Sequence, residues 1–185
     1  VGGWSADTDV GVSTRADGNV GGGAGFSVSM VVRVDTDSGW RGRYSEMLFS
    51  FNHVPDGNGD WVFVSIFVNY GNDGNPELQM ATYSYQWTQD SGNTQMGSGA
   101  VDWTKVNHIV YTATCESDCN SDEPRGTAKL FVNGVWVATS SDNQHLLPAN
   151  KSRVLNFGRS GHQNYVDNRN FQGTMRDVHV WDVAL

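Results

Sequence analysis

The segment that most constrains the fold is a predicted hairpin at residues 131–137, which has Asn133-Gly134 at its centre. An Asn-Gly pair readily takes the two positive φ angles of a type I′ turn, and the valine and aromatic residues on both sides favour strands. Residues 175–180 alternate between apolar and polar side chains, which predicts a half-buried closing strand. The chain is therefore expected to be built from paired antiparallel strands.

Short strands joined by glycine-rich turns are predicted along the rest of the chain, which has 22 Gly, only 4 Pro and abundant Val, Thr and aromatic residues. The predicted strands lie at 26–34, 45–52, 61–70, 77–87, 105–114, 127–132, 135–140, 153–158 and 174–182. Strands of this length and spacing predict an all-β, two-sheet antiparallel β-sandwich. We expect residues 1–185 to form one domain, with a leading edge strand and a Gly-rich connection at 1–25.

Several segments carry a shared pattern in a fixed order. They are Phe26 to Met30; Trp103 with His108, Val110 and Thr112; Leu130 to Gly134; and Gly173, Met175, Asp177, Val178, Val180, Trp181, Ala184 and Leu185. Together they resemble the laminin-G-like, concanavalin A-like lectin/glucanase jelly-roll superfamily, over most of the chain. The resemblance implies a jelly roll that binds glycan or an extracellular protein surface, and it assigns Trp136 and Trp181 to packing.

The charge balance excludes several classes of partner. The formal net charge is −8, and the Lys and Arg residues are scattered singly, so we expect neither nucleic acid nor a membrane surface as a partner. No hydrophobic stretch is long enough to insert into a membrane. An acidic surface suits divalent cations or neutral glycans, and the alternative is that acidity only keeps the domain soluble.

Cys115 and Cys119 lie in a polar segment between predicted strands. We expect a disulfide that closes this loop, and free thiols are the alternative; the segment lacks the further ligands that a zinc site needs. A disulfide indicates an oxidising compartment, so the protein is expected to be secreted or at the cell surface. The chain begins abruptly at Val1, which leads us to expect one module of a larger protein or assembly.

Aromatic residues on one face of a predicted strand form the candidate ligand site. Period-two alternation brings together three residues of the 77–87 strand, and nearby residues add a further ring and two carboxamides; the full set is Tyr83, Tyr85, Trp87, Trp61, Asn69 and Gln79. Flat rings can stack on the apolar faces of pyranoses while carboxamides bond the hydroxyls. The alternative is that these aromatic residues only pack between sheets or under loops.

Calcium is the candidate cofactor. Asp56, Asn58 and Asp60 place side-chain oxygens at alternate positions, and the glycines between them permit the bend that a calcium loop needs. A solvated hairpin loop is the alternative. Many relatives that the chain resembles hold calcium through the first Asp of a closing-strand motif, but Arg176 stands there and Asp177 matches only the second Asp, so we do not expect that inherited site.

Catalytic residues are not expected. The glucanases of the superfamily carry carboxylates at alternate positions of one strand, and here Glu46 is followed at those positions by Leu48 and Ser50. Retaining glycoside cleavage needs two carboxyl groups about 5 Å apart. The sequence therefore predicts a non-catalytic, lectin-like or adhesion module. The alternatives are a protein-interaction or structural domain, and a polysaccharide lyase or glycoside hydrolase. For a lyase, Tyr83, Tyr85, His53 and Arg43 supply side chains of the right type.

Overall fold

Strands account for all of the regular structure in the computed structural model, which describes residues 4–6, 12–16, 25–35, 46–53, 63–70, 76–83, 93–95, 101–119, 125–139, 144–145, 153–158, 171–181 and 184–185. The strands are β1 Trp4–Ala6, β2 Val12–Ala16, β3 Gly25–Val34, β4 Glu46–His53, β5 Phe63–Tyr70, β6 Pro76–Tyr83, β7 Asn93–Gln95, β8 Asn107–Ser117, β9 Arg125–Val132, β10 Val135–Thr139, β11 Gln144–His145, β12 Arg153–Phe157 and β13 Gly173–Trp181. Within these ranges there is no helix, and so none with the length and apolar character to span a membrane.

The strands form two antiparallel sheets. Sheet A has the order β1-β13-β3-β8-β9-β10, with β11 also paired to β9. Sheet B has the order β2-β12-β4-β5-β6-β7. Strands distant in the sequence are therefore neighbours, such as β13 and β3, as in a jelly roll. The predicted two-sheet antiparallel sandwich is confirmed, and the segment 1–25 supplies β1 and β2, one at an edge of each sheet.

Alternate residues of the central strands bury their side chains between the two sheets. In β3 these are the even-numbered residues from Phe26 to Val34, and in β5 they are Val64, Ile66 and Val68. Buried residues of β6, β8 and β9 complete the same cluster. Because side chains alternate along a strand, this burial determines which residues lie on the outer face of each sheet.

Tyr111 of β8 is fully buried in this interior, with its ring 5.4 Å from that of Phe26. Its hydroxyl has no hydrogen-bond partner among the described residues. Burial raises the pKa of Tyr111, because the phenolate would lose its hydration. The phenol is therefore a neutral packing group rather than a base.

Both sheets hold the chain that leads into β13. The backbone amide of Gly158 donates to Leu48 O (3.1 Å), and that of Phe171 donates to Gly158 O (2.8 Å). Asp35 at the end of β3 donates its amide to Gln172 O (2.9 Å). Phe171 itself is buried in the core cluster, so this end of the sandwich is closed by backbone bonds around an apolar ring.

A turn before β8 links the two sheets at another point. Trp103 is buried and donates its Nε1–H to the carbonyl oxygen of Pro76 at the start of β6 (2.9 Å). Asp102 in the same turn accepts hydrogen bonds from Lys105 (2.7 Å) and from the Thr104 hydroxyl (2.6 Å). These donors lower the pKa of Asp102 to about 2. Lys105 is thus paired within its own turn.

The predicted Asn-Gly hairpin is confirmed. Asn133 and Gly134 have φ angles of 52° and 79°, and Val132 pairs with Val135 across the turn. The Asn133 side chain accepts from the His108 amide (2.9 Å) and donates to Asn107 Oδ1 (3.0 Å). The hairpin tip is therefore held against β8 by side-chain bonds as well as by the ladder.

Gly173 and Gly134 provide a matched pair of glycine substitutions. A Cβ at Gly173, where φ is +154°, would overlap the carbonyl oxygen of Arg33 in the neighbouring strand, whereas a Cβ at Gly134 would meet nothing within 4 Å. We expect Gly173→Ala to lower the free energy of unfolding by about 3 kcal/mol or more, and Gly134→Ala by about 1 kcal/mol from its positive φ alone. Urea unfolding measures both; equal losses would contradict the close approach of β13 and β3.

Candidate functional site

A row of short polar side chains crosses the outer face of sheet B. Asn156 of β12 pairs with Ser50 of β4, and Ser50 pairs with Ser65 of β5. All three residues are buried, with exposed fractions of 2% or less. They lie on the opposite side of the sheet from the core residues Phe49 and Ile66, so this burial is separate from the packing between the sheets.

Two polar atoms of this row have unused hydrogen-bonding capacity. Among the described residues, Ser65 Oγ and Asn156 Nδ2 are buried without a partner. A buried polar group left unsatisfied costs about 1–3 kcal/mol, and few such groups occur in native proteins. An unpaired hydroxyl and an unpaired amide on one face are the groups that a hydroxyl-bearing ligand can satisfy.

A second row lies beside the polar one and joins apolar surface to a carboxamide. Met47 pairs with Phe67, and Phe67 pairs with Gln79. Met47 and Phe67 form a small buried cluster of their own, apart from the main core. Gln79 is buried and donates its Nε2–H to Glu77 (3.4 Å). Apolar surface beside a few polar groups is the usual composition of small-molecule sites.

Three of the predicted ligand-binding residues lie at positions on this face. Gln79 is in the second row, Asn69 pairs with Glu77, and Tyr83 pairs with Phe63. Met80 belongs to the main core, as the predicted alternation of β6 requires. Trp61, Tyr85 and Trp87, with the candidate calcium ligands Asp56, Asn58 and Asp60, fall outside the described residues and stay predictions.

Glu46 lies on the side of β4 that faces the core, not on the outer face of sheet B. A register shift between Met47 and Phe49 puts both Leu48 and Phe49 in the core, and Glu46 pairs with core-facing Val68. The buried carboxylate accepts a hydrogen bond from the Gln172 amide (2.9 Å). The bulge therefore places Glu46 and Ser50 on opposite faces, and the alternate positions of the glucanase pattern do not share one surface.

The closing strand and the cysteine loop lie outside sheet B's two rows. Arg176 has its Nε 3.7 Å from Asp177 Oδ2, with both side chains about half exposed. In the part of the chain that the structure describes, no group of three or more His, Cys, Asp and Glu residues could hold a metal ion. The predicted disulfide between Cys115 and Cys119 is confirmed, and it begins at a bulge near the end of β8.

The assignment of Trp136 to packing is wrong. Trp136 is 63% exposed, because it lies on the outer face of the edge strand β10, opposite Phe131. Its Nε1–H donates to Ala138 O and to Thr139 Oγ1, both at 3.0 Å. The sequence contained the signal: a two-residue turn pairs position 131 with position 136, and Leu130 and Val132 must then face the core. Trp181 is half-buried and stacks on His179 (ring centroids 5.6 Å apart).

A family model described as the concanavalin A-like lectin/glucanases superfamily matches residues 6–185. A search of curated proteins finds no match. Solved structures similar to this chain include domains LG4-5 of the mouse laminin α1 chain (11% identity, TM-score 0.57), which cover 98% of this chain and 42% of that one. For endo-β-1,4-glucuronan lyase from the fungus Trichoderma reesei (17% identity, TM-score 0.55), the match covers 96% of this chain and 77% of the lyase. For alginate lyase vAL-1 from Chlorella virus (10% identity, TM-score 0.53), the match covers 85% of this chain and 70% of the lyase. At these identities the likeness shows the shared fold.

Replacing Glu46 distinguishes a structural carboxylate from a catalytic one. Glu46→Ala is expected to lower the free energy of unfolding by about 2 kcal/mol, because the Gln172 amide loses its acceptor. Glu46→Gln keeps an acceptor oxygen and should lose less. Chemical denaturation measures both changes. If the wild type cleaves a polysaccharide and Glu46→Gln abolishes cleavage with the fold intact, the structural assignment is wrong.

Proposed function

We propose that this chain, which belongs to the concanavalin A-like lectin/glucanases superfamily, is a carbohydrate-binding module that holds glycan on the outer face of sheet B without cleaving it. The family supports a carbohydrate-binding or protein-interaction role, and the residues of this face favour the first. A sugar offers hydroxyl groups together with apolar C–H faces. The face offers a polar row beside an apolar one.

The observation that carries the proposal is a pair of buried atoms, Ser65 Oγ and Asn156 Nδ2, which have no hydrogen-bond partner within the part of the chain that the structure describes. They lie on β12 and β5, the two strands that flank β4, so one extended ligand could meet both. Each new hydrogen bond to a sugar hydroxyl would remove a desolvation penalty already present in the free protein.

Glycoside hydrolysis uses two carboxyl groups that flank the scissile bond. Among the described residues of the outer face of sheet B, Glu77 provides a carboxylate at the edge of the apolar row, where it accepts a hydrogen bond from Gln79. Glu46 lies on the other side of the sheet and is bonded to the Gln172 amide. We propose binding because these two carboxylates do not face a common cleft.

An extracellular setting fits the same proposal. The disulfide between Cys115 and Cys119 favours an oxidising compartment. This chain spans less than half of the laminin chain to which it is similar. We propose that it works as one module of a larger protein. Calcium bound by Asp56, Asn58 and Asp60 is part of the proposal, and titration with calcium and with a chelator tests it.

The aromatic platform provides the test of glycan binding. We expect the wild type to bind at least one neutral polysaccharide from a panel of β-glucan, xylan, mannan and galactan, measured by affinity electrophoresis and calorimetry. Tyr85→Ala combined with Trp87→Ala should weaken binding by about tenfold or more, because two stacking rings are lost. Trp136→Ala, on the other sheet, is the matched control and should bind neutral glycan normally.

Three outcomes contradict parts of the proposal. Unchanged affinity in the double variant would reject the platform, and no binding across the panel would leave protein interaction as the better function. The appearance of new reducing ends or unsaturated uronates during incubation would show that the chain cleaves its ligand. Gln79→Ala, which removes a carboxamide from the same face, should reproduce a smaller loss of affinity.

A further inference from the structure

The strand β10 lies at one end of sheet A and, among the described residues, has a strand neighbour on one side only, β9. Val132 and Val135 flank a two-residue turn, so they exchange backbone hydrogen bonds with each other. The next residue, Trp136, then directs its backbone N–H and C=O away from β9, toward the other edge of β10. Backbone groups at the edge of a sheet can pair with another extended chain.

The sequence of β10 lacks the residues that usually hinder such pairing. Edge strands of natural proteins often carry a charged residue or a proline, whereas the five residues of β10 are Val, Trp, Val, Ala and Thr. A strand of this length spans about 17 Å. The bulge between Trp136 and Ala138 adds local twist. The edge of β10 is therefore suited to one short strand.

Exposed apolar side chains concentrate at the same hairpin. Among the described residues, four large apolar residues are exposed, and two of them, Val135 and Trp136, are consecutive in β10. They lie on opposite faces of sheet A, because Val135 pairs with core-facing Val132 and Trp136 with outward Phe131. A strand added at this edge would contact apolar surface on both of its faces. Exposed apolar clusters of this kind mark interaction sites.

A third exposed apolar residue lies next to the tip of the hairpin. Val106 is half-exposed and precedes Asn107, whose Oδ1 accepts a hydrogen bond from Asn133 (3.0 Å). The turn before β8 and the hairpin tip are thus held together. The apolar surface therefore extends past the end of β10.

Trp136 is held in place before any partner binds. Its Nε1–H donates to Ala138 O and to Thr139 Oγ1, which fixes the ring alongside β10. Its large apolar surface stays exposed. Tryptophan is among the residues that contribute most to binding energy at protein interfaces, and little side-chain entropy is lost when the ring is already fixed.

The charges of the hairpin indicate the chemistry of the partner. Residues 125–139 contain no Asp or Glu, although the chain has 20 of them. Arg125 lies beside Glu116 at the β8 bulge. Lys129 is exposed, and its neighbours across the two ladders are the neutral residues Thr112 and Thr139. An added strand would lie about 10 Å from β9, within the combined reach of a Lys and a Glu side chain.

We propose that β10 binds an extended segment of a partner protein by strand addition, and that this segment carries apolar and acidic residues on the face next to Trp136 and Lys129. Backbone hydrogen bonds would provide the affinity and the side chains the specificity. A second copy of this chain fits less well. Its own hairpin brings another Lys129 and no carboxylate, and each copy has a net charge of −8. The site is independent of the proposed glycan site on sheet B.

Three short peptides test strand addition. The probes are acetylated and amidated Val-Thr-Glu-Thr-Val, its basic counterpart Val-Thr-Lys-Thr-Val, and Val-Pro-Glu-Pro-Val. The acidic peptide should shift the backbone amide resonances of residues 135–139 of the isotope-labelled protein. The basic peptide should bind about threefold more weakly, and the proline peptide should not bind, because proline has no N–H for the ladder. Sedimentation equilibrium should show a monomer.

Two pairs of variants assign the binding to named residues. Trp136→Ala should weaken binding of the acidic peptide by about tenfold, whereas Leu185→Ala, an exposed apolar residue away from the hairpin, should change it by less than about twofold. Lys129→Gln should abolish the preference for the acidic over the basic peptide. Lys105→Gln should keep that preference, because Lys105 is ion-paired with Asp102.

The proposal is overturned if the acidic peptide does not bind, if the proline peptide binds as tightly, or if the shifted resonances lie away from the hairpin. It is also overturned if folded Trp136→Ala protein binds like the wild type. Thermal unfolding checks that each variant is folded, and Trp136→Phe provides a milder substitution if Trp136→Ala is unstable. A dimer that Trp136→Ala dissociates would identify a second copy as the occupant and reject a partner protein.

Discussion

Burial of one face of each sheet against the other is the constraint on which the rest of the structure depends. The even-numbered residues of β3 and the set Val64, Ile66 and Val68 of β5 are buried almost completely. Each buried side chain adds about 1.5–3 kcal/mol of apolar transfer free energy, so a slip of one residue in register would be prohibitive. Every other side chain of these strands is thereby committed to the outer face of its sheet, where residues such as Ser27 and Ser65 are buried as well.

The sequence predicted the features that depend on local pattern. Asn133-Gly134 predicts a hairpin turn because Asn and Gly readily take the two positive φ angles of a type I′ turn. Both φ angles are positive in the structure. The disulfide was predictable because Cys115 and Cys119 lie close together in a polar segment. The sandwich followed from the alternation within each strand. These features need only residues that are near one another in the chain.

The bulges were not predictable, and they changed the interpretation of several residues. Register shifts fall between Met47 and Phe49, and between Arg176 and His179. A bulge reverses the side-chain alternation beyond it, so Glu46 no longer shares a face with Ser50. The energy that selects a bulge comes from packing against the opposite sheet and from bonds such as that between Glu46 and Gln172. Those contacts join residues far apart in the sequence, which a local pattern does not specify.

Net charge also proved a poor guide to each surface. Exposed charges act over about 10 Å at 0.1 M salt, a distance shorter than the span of sheet A from β10 to β13. The charge of each face therefore depends on the pairs that it carries, such as Arg176 with Asp177 on β13. The two sheets bury their inner faces in the same way, yet their outer faces differ: among the described residues, that of sheet B has buried polar atoms without partners, and that of sheet A has the exposed ring of Trp136. A β-sandwich can in this way present two chemically different surfaces, because the core requires only the inward half of each strand.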